Sequence, residues 1–197
     1  MSGGEGEQVS RCAAALFTDV KKNGWYHEAV DFVCENGLMD STDTLLFDPG
    51  HTAMRATVFE ALYRLAGQPD MTGVEIPFVD AQEHEWYYDA LCWAYENGVA
   101  EGYSQTTFAP LAPVSRQQLA VMLYRAAKLS GETADHDAQY LSAFADASDV
   151  SDWAVEAMAW AVGEGIFTGD GEGNLNPRAT ATRAELAQIL MNILEDN

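Results

Sequence analysis

Positive charge is the scarcest resource in this chain. Ten Lys plus Arg stand against 31 Asp plus Glu, for a formal net charge of −21. Nucleic acid and anionic membrane surfaces both call for a basic footprint, so neither is an expected partner. No apolar run approaches the roughly 18–20 residues of a membrane-spanning helix. Proline is sparse, at six residues. Cysteine is sparser: Cys12, Cys34 and Cys92 form an odd set without CxxC spacing. That excludes a disulfide framework and a zinc site by pattern, and the three read as small buried hydrophobes on helices.

Familiar catalytic patterns fail on inspection. "HEWYY" at 84–88 starts like a zinc-protease helix but has Tyr88 where the second His belongs. His27, His51, His84 and His136 keep no ligand spacing. "EGYSQ" lacks the glycine that follows a nucleophilic serine in an elbow turn. "DGEGNLNPRATA" offers three calcium-loop positions, then puts Leu175 where glycine is needed and Ala181 where the bidentate Glu belongs. No catalytic residue, metal or cofactor is expected.

What the chain does contain is a hydrophobic share of 48%, enough for a real core, and repetition. Three segments align in fixed register. Trp25, Trp86 and Trp153 are 61 and 67 residues apart. Gly37, Gly98 and Gly165 keep those offsets, as do Pro49, Pro110 and Pro177, and Arg55, Arg116 and Arg183. Phe-x-Asp openings precede each set: Phe17/Asp19, Phe78/Asp80 and, one residue out of step, Phe144/Asp146. The Asp offers a turn or a helix N-cap. From Trp to Gly runs an amphipathic helix, and the Gly suits a left-handed C-cap. Pro follows a loop and blocks helix continuation. A second helix starts near the Arg, with apolar stripes such as Leu186, Ile189, Leu190 and Ile193. The expected fold is therefore all-α: three helix–loop–helix repeats at 17–67, 78–128 and 144–194, packed as one compact pseudo-threefold domain. Six principal helices are expected, paired within each repeat. Residues 1–16, polar and Gly-rich at the start, read as a linker-like lead-in.

The stretch "TATRAELAQIL" at 180–190 sets a puzzle. Thr182 and Glu185 make a capping box, yet Arg183 takes the first helical position, beside the positive end of the helix dipole. A cation there costs roughly 0.3–1 kcal/mol. It is repaid if an anion binds, because a helix N-terminus offers unpaired N–H groups and Arg can grip a carboxylate with two parallel bonds. On that reading Arg183→Ala leaves stability unchanged or slightly higher. Pairing with an acid of the neighbouring repeat, to hold the units together, is the other reading of the same Arg.

These columns resemble the S-layer homology family over about residues 17–194. The signature "ATRAELAQIL" is close to the family's own; "VSRQQLAVML" keeps Ser115 and Arg116 with Gln118 for Glu; "AMRATVFEAL" keeps Arg55 but has Met54 and Thr57 in place of the cap and the acid. The resemblance implies a non-catalytic module that holds a secreted protein to the bacterial cell wall. Its partner would be an anionic secondary wall polysaccharide, often bearing a pyruvate ketal, bound in grooves between repeats. The implied contacts are Arg183, Arg116 and Arg55 with Thr182, Glu185, Ser115 and Gln118. Trp153, Trp86 and Trp25 join them as a second tier, since a Trp opening an amphipathic helix fits a core more readily than a sugar platform. The motif is fullest in the third repeat and poorest in the first, so Arg183 should matter most and Arg55 least. An isolated module of this kind is expected to be a monomer. A structural or protein–protein module with degenerate sites, or an accessory region of a surface enzyme, are the alternatives.

Overall fold

The structure, a computed structural model, describes residues 13–131 and 136–195. It contains six α-helices: α1 His27–Glu35, α2 Arg55–Leu65, α3 Tyr88–Glu96, α4 Arg116–Ser130, α5 Val155–Gly163 and α6 Arg183–Glu195. Short 3-10 turns occupy Ala13–Leu16, Ala138–Ala143, Ala147–Asp149 and Asp152–Ala154. Among the described residues there is no strand, only isolated bridges such as Met54 with Pro113. The all-α class is the one expected.

Local chemistry sets the helix ends. Gly37, Gly98 and Gly165 have φ of 64°, 69° and 73°, left-handed values that a side chain would resist. At α1 the Gly37 N–H donates to the Cys34 carbonyl and the Leu38 N–H to that of Val33, a Schellman closure. Ser115 and Gln118 form a full capping box on α4. Thr182 and Glu185 exchange the same bonds on α6, while Met54 leaves α2 without a side-chain cap. Cys34 is partly buried on α1 and Cys92 is buried on α3; burial pushes the Cys34 thiol up to about 11. Cys12 lies outside the described residues.

The helices do not pair within their own segments, as the spacing suggested. The close pairs are α2 with α3, α4 with α5, and α1 with α6. Each first helix packs on the second helix of the segment before it, and the last pair closes the circle. Backbone bonds at the centre repeat this closure. The Val114 N–H donates to Ala53 O, Ala181 N–H to Val114 O, and Ala53 N–H to Ala181 O, all at 2.8–3.0 Å. These three residues stand 61 and 67 apart, so the ring realises the sequence offsets in three dimensions. The reason for crossing is geometric. The first N–H groups of each second helix donate to carbonyls in the loop of the next segment, which ties that helix to its neighbour. Phe47, Phe108 and Leu175, two residues before Pro49, Pro110 and Pro177, are fully buried.

The Phe-x-Asp acids cap no helix. Asp19 accepts the backbone N–H groups of Phe47 and Asp48, Asp80 those of Phe108 and Ala109, and Asp146 those of Leu175 and Asn176. Each carboxylate thus latches a loop about 28–30 residues downstream. Burial raises the Asp80 carboxyl, but these two N–H bonds and the nearby Arg55 charge outweigh it and hold it below the usual range. The second residue of each latch is left-handed: Asp48, Ala109 and Asn176 have φ of 56°, 57° and 52°. Asp and Asn tolerate this, but alanine does so at about 1–2 kcal/mol. Ala109→Gly should therefore raise the melting temperature by about 2–4 °C, the shift that ~1 kcal/mol brings at this size. A lower melting temperature in a thermal scan would show the strain to be relieved already.

Candidate functional site

The aligned arginines form inter-segment clasps. Arg55 donates from Nε to Phe108 O at 3.2 Å and from NH2 to Glu101 O at 2.9 Å. Arg183 repeats this with Phe47 O at 2.8 Å and Asp40 O at 2.7 Å. Their guanidinium carbons lie over the Phe108 and Phe47 rings at 4.3 and 4.6 Å. Both side chains are buried, with only 4% and 8% of the residue exposed. Burial pushes both guanidinium groups below their ordinary value, opposed by the charges around them. They remain cations, since an arginine does not deprotonate in a protein. Arg116 differs. Its Nε donates to Leu175 O at 2.8 Å, but NH1 pairs with Glu185 Oε1 at 3.1 Å, and the nearest ring is Phe167 at 4.9 Å.

The N–H groups that an anion would need are already used. In α2 the Arg55 and Ala56 N–H donate to Ala112 O and Pro110 O. In α4 the Arg116 and Gln117 N–H donate to Ala179 O and Pro177 O, and in α6 those of Arg183 and Ala184 reach His51 O and Pro49 O. At the third position the Gln118 and Glu185 N–H groups go to the Ser115 and Thr182 hydroxyls. The expected open helix ends are therefore closed by the next segment's loop, and the arginine's place beside the dipole is explained by its reach to that loop.

The three tryptophans are not core. Trp25, Trp86 and Trp153 are 63%, 53% and 58% exposed. Each stands two residues before its α-helix begins, so it escapes the apolar stripe. Trp25 lines a groove of about 630 Å³ with Arg116, Phe167, Asp170, Glu185 and Asn192. All three segments contribute: the Trp from the first, the Arg from the second, and the loop and α6 from the third. The same offsets assign Trp86 to Arg183 with the 38–42 loop and α2, and Trp153 to Arg55 with the 99–103 loop and α4. Gln117 supports the last assignment, since it exchanges bonds with the Ser151 backbone and hydroxyl beside Trp153.

Two groove columns escaped the sequence reading. One holds Thr42, Tyr103 and Asp170, and the other Arg64, Arg125 and Asn192. They keep the 61 and 67 offsets, so register alone could have found them; their residue types differ, so no motif marked them. Glu185 and Ser115, expected at the ligand, serve the helix caps, and Glu185 holds Arg116 as well. Gln118 reaches outward through Nε2 to the Tyr103 hydroxyl at 2.9 Å.

Residues 77–120 and 143–187 match the S-layer homology domain. The chain is 35% identical over 195 residues to the "Surface-layer 125 kDa protein" of Lysinibacillus sphaericus, covering 95% of this chain and 16% of that protein. It is 28% identical to "S-layer protein sap" of Bacillus anthracis over 92% of this chain and 22% of that one. It is 27% identical to the "Amylopullulanase" of Thermoanaerobacterium thermosulfurigenes over 91% of this chain and 9% of that one. The chain thus spans a small part of these relatives' length, and they include both surface-layer proteins and enzymes. The likeness places the chain at the bacterial cell surface. No helix among the described residues is long and apolar enough to cross a membrane.

Proposed function

We propose that this chain, which carries S-layer homology domains at 77–120 and 143–187, is a non-catalytic cell-wall anchoring module that binds an anionic secondary wall polysaccharide. Residues 17–67 are a third, diverged repeat of the same kind, and 17–67, 78–128 and 144–194 act as one domain. The observation that carries the reading is the recurring arrangement of an exposed Trp and an Arg from different segments, seen as one groove at Trp25 and Arg116 and repeated in register at Trp86 with Arg183 and Trp153 with Arg55. Indole faces pack on the apolar faces of sugars, and the indole N–H donates at the rim. The arginine supplies positive charge that a chain at −21 otherwise lacks. Pyruvate ketals on the wall glycan would provide matching carboxylates. The isolated module is a monomer on this reading, with no nucleic-acid partner.

Purified protein sedimented with wall sacculi tests the proposal, before and after chemical removal of the polysaccharide. Retention should need the polysaccharide and should weaken as salt is raised. The triple variant Trp25→Ala, Trp86→Ala, Trp153→Ala should lose about ten-fold or more in retention, each decade corresponding to ~1.4 kcal/mol. Its melting temperature should barely move, because none of the three is core. Equal retention on stripped and intact sacculi would count against the proposal.

The buried clasps of Arg55 and Arg183 favour a second reading, a structural or protein–protein module whose arginines serve assembly alone. It predicts no polysaccharide-dependent retention at all.

A further inference from the structure

The columns that line the Trp25–Arg116 groove recur in register at Arg183 and at Arg55, and the three sets are unequal in charge. The columns that line the Arg116 groove contain one cation and two carboxylates, Asp170 and Glu185, with neutral Asn192 at the far side. The same columns around Arg183 hold Arg183 and Arg64 against Asp40 and Glu60, and both of those acids already pair with Arg64, at 2.5 and 2.7 Å. Around Arg55 they hold Arg55 and Arg125 against Glu101 alone, with neutral Tyr103 and Gln118 where the Arg116 groove has its carboxylates. So the balance runs from one negative charge at Arg116, through neutral at Arg183, to one positive charge at Arg55. The latch acids Asp19, Asp80 and Asp146 are common to all three and do not alter the order.

We infer that the Arg55 groove, between the first and second segments and flanked by Trp153, is the one that accepts the ligand's carboxylate. Tyr103, Gln118 and Arg125 are the residues that set this preference. The inference rests on the anchoring function proposed above and reverses the order suggested by motif completeness. The Glu185 that completes the motif on α6 does not prepare a site for an anion at Arg116. It occupies the outward NH1 of that arginine and adds a charge that repels one. Asp170 adds a second; bonds first from Asn174, then from the Glu172 N–H and Asn176, hold its carboxyl well below the usual carboxylate range. Opposite, the Gln118 amide and the Tyr103 hydroxyl bond to each other on the surface and present donors without charge. The Arg55 guanidinium lies over the Tyr103 and Phe108 rings, at 4.7 and 4.3 Å, and Arg125 pairs with Glu101, which leaves the Arg55 charge uncompensated among these columns.

Arg55 is itself buried in the fold, so the test changes its neutral neighbours. The double variant Tyr103→Asp, Gln118→Glu writes the acids of the Arg116 groove into the Arg55 groove, and Arg125→Ala removes the cation that pairs with Glu101. Arg125→Ala should lower retention on intact sacculi about ten-fold, as expected for a single charge a few ångströms from a bound anion, and the double variant, which adds two carboxylates, by more than that. Glu185→Gln and Asp170→Asn should leave retention unchanged or raise it. Nuclear magnetic resonance of the indole N–H groups, titrated with sodium glucuronate as a carboxylate-bearing sugar, should shift Trp153 first and Trp25 last or not at all. Arg125→Ala should abolish the Trp153 shift. If the Tyr103 and Gln118 changes leave retention intact while Arg116-groove variants abolish it, the carboxylate lies elsewhere and this inference is overturned with the anchoring function standing. Retention independent of the polysaccharide in every variant would remove the anchoring function itself.

Discussion

Arg183→Ala should unfold the protein about 10 °C earlier than the parent chain. The side chain donates to two backbone carbonyls of the 40–47 loop, Asp40 O and Phe47 O, from more than 130 residues away in sequence. Charge-assisted bonds of this kind contribute about 1.5–3 kcal/mol each, and their loss leaves the buried Phe47 carbonyl unpaired. The cation above the Phe47 ring adds about 0.5–1 kcal/mol. Relief of the unfavourable dipole contact returns only about 0.3–1 kcal/mol. Summed with allowance for relaxation, the loss is about 3–5 kcal/mol, or roughly 2–4 °C per kcal/mol at this size. Arg183→Lys should fall between, because an ammonium group cannot span both carbonyls in the planar fork geometry. Differential scanning calorimetry of the three proteins measures this directly. An unchanged midpoint for Arg183→Ala would mean that the clasp carries no net stability, and the dipole argument would regain its place.

The larger effect comes from cutting the ring. A chain limited to residues 144–194 should show little helix by far-ultraviolet circular dichroism, although it contains both of its own helices. Its α5 would lose α4, its α6 would lose α1, and no close α5–α6 contact replaces them. The Ala181 N–H would lose Val114 O, and those of Arg183 and Ala184 would lose His51 O and Pro49 O. Helices of nine and 13 residues are marginal alone in water. Mixing this piece with a 13–143 piece should restore helical signal in proportion to complex formed, since the missing partners, α1, α4 and the Ala138–Ala143 turn that packs on α5, all lie there. A folded, cooperatively melting 144–194 segment would contradict the interlocked reading of the ring.

The sequence by itself determined the helices, their ends and their three-fold order. Those features are local or periodic. Left-handed glycines at 37, 98 and 165 follow from backbone sterics alone, and the Ser115 and Thr182 caps from the reach of a hydroxyl to an amide three residues on. The offsets of 61 and 67 reappear in the structure, where Ala53, Val114 and Ala181 bond to one another around the centre. Only the tertiary structure decided which helix meets which, because the spacing of one repeat is the same whether its stripe packs on itself or on a neighbour. It also decided what Arg55 and Arg183 hold, since their acceptors are backbone carbonyls, which have no letter in a sequence. It turned Trp25, Trp86 and Trp153 outward, because each helix starts two residues after its indole, a shift too small for periodicity to resolve. And it set the charge of each groove, where Arg125 on α4 faces Glu101 in the loop after α3 and Glu185 reaches back to Arg116 across a segment boundary. Charge acts through space over a few ångströms, and that distance exists only once the ring has closed.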